Sequence, residues 1–167
     1  MAGDRFPVLW LCGPSGVGKS TVGWEIHTQL PGTGYVDTDQ LGLCSPVPAD
    51  DPANHRIKAA NLAAMLPAYR TVGREGLIVS GILENATVAR RYTGALPGAA
   101  VTLCRLRVRA TELRDRIHRR GWLTELAEAA VREAEAMDRN DFADLCVDTT
   151  GLSTVAVARL VLERWAR

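Results

Sequence analysis

Residues 13 to 20 read Gly-Pro-Ser-Gly-Val-Gly-Lys-Ser, the spacing G-x-x-x-x-G-K-[ST]. Gly13, Gly16 and Gly18 let the backbone turn so that successive amides, those of Ser15 and Val17 among them, face inward as a nest for phosphate oxygens. Lys19 supplies a mobile point charge for β- and γ-phosphates, and the Ser20 hydroxyl is placed to ligate magnesium. Ser20 and Thr21 open a helical pattern, whose positive amino end adds to the attraction for anions. Lys19 is one of two lysines beside eighteen arginines. In so arginine-biased a chain, a lysine marks a place where a compact ammonium is needed and a guanidinium fork does not fit. The turn is expected to hold the polyphosphate of a nucleoside triphosphate.

Further along stand other groups able to work on such a phosphate. Tyr35-Val36-Asp37-Thr38-Asp39 puts two carboxylates two residues apart at the end of an apolar run. In an open α/β sheet, strand ends of this kind are where ligands bind. Arg116, Arg119 and Arg120 close a helical segment just before Gly121, and guanidinium donors on a closing segment can stabilise charge on a transferring phosphoryl group. His55, Arg56 and Lys58 begin a helical pattern after the aspartates. They suit an anionic acceptor or simply a solvated helix start. Glu84 follows Ser80 and Gly81 at another strand end, fit to position magnesium through water, to bind an acceptor, or to favour a helix amino terminus.

These groups need a sheet and helices to hold them. Short apolar runs alternate with longer helical patterns, which predicts an α/β fold with a largely parallel sheet. Strands are expected at Pro7–Cys12, Gly34–Asp37, Leu77–Leu83, Ala100–Leu106 and Leu145–Asp148, apolar throughout because helices cover both faces. The first helix is expected from Lys19 to Leu30, stopped by Pro31-Gly32. Asn54–Gly73 is helical, with Pro67 kinking or dividing it. Ala110–Arg120 and Thr124–Arg139 form a helix pair turning at Gly121. Ser153 caps a last helix whose Val157, Val161 and Trp165 share one face.

With these motifs in this order, the chain resembles the small P-loop kinases of the nucleoside monophosphate kinase-like group, which includes shikimate, gluconate and adenylylsulfate kinases and chloramphenicol phosphotransferases. The resemblance implies one domain over residues 1–167: a three-layer fold with a five-stranded parallel sheet, the phosphate-loop strand central, and a mobile lid. It implies that Asp37 supports magnesium or acts as base, and that Asp39 holds the acceptor hydroxyl. It further assigns Arg116 to the nucleotide base, and Arg120 or Arg119 to the phosphates. The strand exit Cys146–Ser153, through Thr150, would touch adenine. The lid departs from the group, because barely three residues separate Arg120 from the next helix.

Composition bounds the alternatives. The 167 residues, 47% apolar and 23% charged, are enough for a core without disulfides. The four cysteines, Cys12, Cys44, Cys104 and Cys146, lack the close spacing of a zinc or dithiol site. Neither a leader nor a membrane span is expected, so the chain reads as cytoplasmic. A net charge of +1, with no basic stripe, argues against a nucleic-acid partner. The expectation is an ATP- and Mg2+-dependent phosphotransferase for a small-molecule acceptor, acting as monomer or homodimer. A nucleoside monophosphate kinase is the runner-up, and a non-kinase ATP-binding regulatory module the remaining alternative.

Overall fold

Residues buried on both faces of a sheet read as unbroken apolar runs, and the central strand is such a run. In the computed structural model, which describes residues 5–121, 124–140 and 142–166, β1 spans Phe6–Cys12. The chain continues through α1 (Lys19–Gln29), β2 (Thr33–Asp37), α2 (His55–Thr71), β3 (Gly76–Ser80) and α3 (Ala86–Gly94). Then come β4 (Ala99–Arg107), α4 (Ala110–Arg119), α5 (Ala127–Arg139), β5 (Leu145–Asp148) and α6 (Thr154–Trp165). The five strands lie in the order β2-β3-β1-β4-β5, and every pairing is parallel. The phosphate-loop strand is therefore central.

Strand alternation divides the core between two layers. Val8, Trp10 and Cys12 face one side with Leu62 of α2 and Tyr92 of α3. Leu9 and Leu11 face the other with Ile26 of α1 and Val157 and Val161 of α6. A third, smaller cluster joins Leu113 and Ile117 of α4 to Ala127, Ala130 and Val131 of α5. It holds those two helices together as a hairpin at the edge of the site.

Two expectations change, and one helix is added. The third strand ends at Ser80 rather than Leu83, because Gly81 turns tightly against Thr38 and offers its carbonyl to Trp10 Nε1 at 3.4 Å. Pro67 does not divide α2, which is one helix of 17 residues. Pro67 is exposed, so the carbonyl left without an amide partner can be met by water. The third helix, absent from the expected elements, begins where Asn85 Oδ1 accepts the Thr87 and Val88 amides, an ordinary N-cap. Ser153 caps α6 as expected, accepting the Ala156 amide at 3.3 Å. None of the helices among the described residues is long and apolar enough to cross a membrane. All four cysteines are free thiols, and burial pushes the Cys12 and Cys104 thiols up to about 12.

Candidate active site

The loop between β1 and α1 needs backbone that only glycine supplies easily. Gly13 has φ +142°, and a Cβ there would lie 2.6 Å from the Leu106 carbonyl oxygen. Gly16 has φ +83°, and its Cβ would lie 2.7 Å from Ile117 Cγ1, so the loop sits directly against α4. Lys19 is buried, its Nζ donating to the carbonyls of Gly13 at 3.0 Å and Pro14 at 2.9 Å. Burial makes this ammonium easier to deprotonate, while Glu133, Asp39 and Asp37 hold its proton on.

The aspartate pair is arranged by a tight turn. Asp37 caps a 3-10 turn over Thr38–Gln40, its Oδ1 accepting the Asp39 amide at 3.0 Å. Thr38 is buried, so the two carboxylates flanking it face outward. Asp37 Oδ2 accepts the Ser20 hydroxyl at 2.6 Å. Asp39 lines a cleft of about 380 Å³ together with Gly16, Gly18, Lys19, Ser20, Ile82 and Arg120. Its Oδ1 lies 3.6 Å from Lys58 Nζ.

A second cleft, of about 600 Å³, shares Gly16, Gly18, Thr21 and Arg120 with the first and adds Val17, Arg116, Arg119 and Thr149. Arg116 is a strut between three elements. Its guanidinium donates to the Val17 carbonyl at 2.9 Å, to Thr149 Oγ1 at 3.1 Å and to the Thr149 carbonyl at 2.9 Å. It also forms a 2.6 Å ion pair with Glu112, whose carboxyl it holds below the usual glutamate range. The in-plane donors are thus fixed, while the flat face of the guanidinium remains able to stack on a ring. Of the strand exit, Thr149, Leu152 and Ser153 line this cleft, and the expected Thr150 does not. Thr150 Oγ1 instead accepts the Arg109 amide at 3.0 Å.

The acceptor-side residues fare differently. Lys58 and Asp39 come together, but Arg56 does not join them. Its guanidinium binds Asp50 through two hydrogen bonds of 2.7 and 2.8 Å and lines neither cleft. Glu84 lies beside His55, whose Nε2 is 3.1 Å from both carboxylate oxygens and directed at Oε1. Glu84 Oε2 and Asn54 Oδ1 are buried and, among the described residues, accept no hydrogen bond. His55 Nδ1 is 3.0 Å from Tyr92 Oη. Burial, followed by the charge of Glu84, pushes the Tyr92 hydroxyl up, so it stays a donor. A Tyr92 O–H given to Nδ1 assigns the remaining ring proton to Nε2, facing Glu84.

All these groups lie at the carboxyl ends of the parallel strands, where ligands enter open α/β sheets. A family model described as an AAA domain matches residues 9–138. The chain belongs to that family. None of the curated proteins matches its sequence. Solved structures do match in fold. The Deinococcus radiodurans tunicamycin resistance protein has a TM-score of 0.74 at 23% identity, over 96% of each chain. A gluconokinase from Sinorhizobium meliloti 1021 has a TM-score of 0.72 at 22% identity, over 98% of this chain and 94% of its own. Shikimate kinase from Acinetobacter baumannii, in complex with shikimate, has a TM-score of 0.68 at 18% identity, over 99% and 96%. The expected fold of the small P-loop kinases is therefore the fold this chain has.

Sequence reasoning missed Thr149, Glu112 and Glu133. Glu133 Oε2 accepts the Ser15 amide at 2.9 Å across 118 residues of sequence. No local spacing announces a contact of that kind. Among the described residues there is no cluster of three or more His, Cys, Asp or Glu side chains able to cage a metal. Magnesium does not require one. It is commonly held by one or two protein oxygens, with phosphates and water completing the shell. The Ser20 hydroxyl against the Asp37 carboxylate is a donor pair of that type and fits the ion.

Proposed function

We propose that this chain is an ATP- and magnesium-dependent kinase that phosphorylates a hydroxyl group of a small-molecule acceptor. The observation that carries the reading is Asp39 in one cleft with Lys19 and Ser20, next to an Asp37 carboxylate bonded to Ser20. Phosphoryl transfer needs little covalent chemistry from the protein; positioning and electrostatic stabilisation are the main requirements. The loop amides and Lys19 would hold the phosphates. Arg120, which lines both clefts, would face the charge on the transferring group, with Arg119 beside it. Arg116 would offer its flat face to the base. Bound at Ser20 and Asp37, magnesium would neutralise phosphate charge. Asp39 would accept a hydrogen bond from the acceptor hydroxyl, draw off its proton and aim its oxygen at the phosphorus. Glu84 lines neither cleft and would act from behind the acceptor end by holding His55, 3.1 Å away.

The charge around that end favours an acceptor without a phosphate of its own. Asp50 and Asp51 engage Arg56 and Asp39 engages Lys58, which opposes a nucleoside monophosphate or other anion. An ATP-consumption screen over sugars, nucleosides, nucleotides and hydroxylated antibiotics tests the reading. Acceptor-dependent ADP formation with an uncharged or amine-bearing hydroxyl compound is expected. Turnover with nucleoside monophosphates alone, or phosphate release that needs no acceptor, would contradict it.

A further inference from the structure

Glu133 has no part in the reaction just described, yet it reaches into the phosphate loop. Its Oε2 accepts the Ser15 amide at 2.9 Å. That amide belongs to the run of N–H groups between Gly13 and Lys19, an arrangement that attracts anions of any origin. A carboxylate in this position holds one of the donors that a phosphate would claim.

Its charge also bears on Lys19 of the same loop. Lys19 Nζ bonds the carbonyls of Gly13 and Pro14, the two residues before Ser15. Among the charges that keep the proton on this ammonium, Glu133 has the largest effect, ahead of Asp39 and Asp37. The element that carries Glu133 is also coupled to the lid arginines. Ala127, Ala130 and Val131 of α5 pack on Leu113 and Ile117 of α4, and α4 carries Arg116 and Arg119. The same Ile117 lies against Gly16. The α4–α5 hairpin is therefore packed as one piece and meets the loop at Ile117 and at Glu133.

We propose that Glu133 is a competing anion built into the nucleotide site, holding the Ser15 amide until an entering polyphosphate displaces it and shifts α5. The inference rests on reading residues 13–20 as that site. A polyphosphate and a carboxylate cannot share one amide in a partly dry cleft without strong like-charge repulsion. The apparent affinity for nucleotide is lowered by the fraction of molecules in which the carboxylate already holds the donor. Displacement also gives the lid a signal, because α5 leaves the loop as the phosphates arrive.

Calorimetric titration of Mg·ATP into the wild type, Glu133→Gln and Glu133→Ala separates the possibilities. The amide of Gln keeps an acceptor oxygen at nearly the same place and removes only the charge. Both variants should bind more tightly than the wild type, by about 5-fold or more, and thermal melts should verify that each is folded. Hydrogen exchange across residues 127–139 should change when Mg·ATP binds the wild type, and much less in Glu133→Ala. Unchanged affinity in Glu133→Gln with weaker binding in Glu133→Ala would reduce Glu133 to a brace for the loop and overturn the inference. Weaker binding in Glu133→Gln would likewise overturn it, since the charge would then assist the nucleotide. Wild type that binds while both variants match it overturns this inference alone. Absence of binding in all three removes the nucleotide site and this inference with it.

Discussion

Lys19 is the side chain whose loss is most informative. Its ammonium is buried and, among the described residues, bonded to two loop carbonyls, so Lys19→Ala removes charge without opening the sheet core. We expect turnover to fall by about 10²–10³-fold, the usual effect of deleting one preorganised charge partner, while the thermal midpoint stays within a few degrees. Parallel rate and melting measurements check this, and unchanged turnover would remove Lys19 from the chemistry. Asp39→Asn should raise the KM for the acceptor more than it weakens ATP binding, with Lys58 losing its 3.6 Å partner. Equal losses on both sides would instead put Asp39 on the magnesium side. Residues at this scale were legible where a motif dictates backbone and spacing together, as at Gly13–Ser20 and Asp37–Asp39. Arg56 was not, since its partner Asp50 lies in an irregular loop six residues earlier. Thr149 was not distinguishable from Thr150, because nothing in adjacent identical residues says which one turns into the cleft.

Among the elements, the phosphate loop is packed closely against the α4–α5 hairpin. Gly13 shows how little slack the loop has. With φ +142° and the Leu106 carbonyl oxygen 2.6 Å from any Cβ, Gly13→Ala must displace backbone rather than a flexible side chain. A destabilisation of about 1–3 kcal/mol is expected, together with weaker Mg·ATP binding, both measurable by urea unfolding and titration. An alanine variant with wild-type stability and affinity would contradict the loop geometry. The central strands β1 and β3 were legible because burial on both faces leaves an unbroken apolar run. α3 is hard to read because its nine residues, which bury chiefly Ala89 and Tyr92, fall short of the length at which a helical pattern is decisive. The hairpin was legible as two helices, but its grip on the loop was not. That grip depends on Glu133 meeting Ser15 across 118 residues, a contact created by the tertiary fold alone.

At the level of the whole molecule, the order β2-β3-β1-β4-β5 puts the loop strand in the middle of a sheet covered on both sides. Leu9 and Trp10 on that strand are fully buried, one in each layer. Leu9→Ala should therefore cost about 2–5 kcal/mol, lowering the melting midpoint by roughly 5–15 °C. The affinity of the folded protein for Mg·ATP should be unaltered. Calorimetric scanning with titration at low temperature measures both, and a concerted loss of affinity would mean that the site is sensitive to the core behind it. The neighbours in fold share this sheet at 18–23% identity. Such likeness carries architecture, and the acceptor has to be read from the acidic end of the cleft.

Titration of the wild-type protein with Mg·ATP bears most directly on the site that the rest depends on. Saturable heat with a dissociation constant in the range of about 1 μM to 1 mM, abolished by Lys19→Ala in a folded protein, is the expected result. No heat from the wild type at millimolar Mg·ATP, or the same binding curve from Lys19→Ala, would contradict the account.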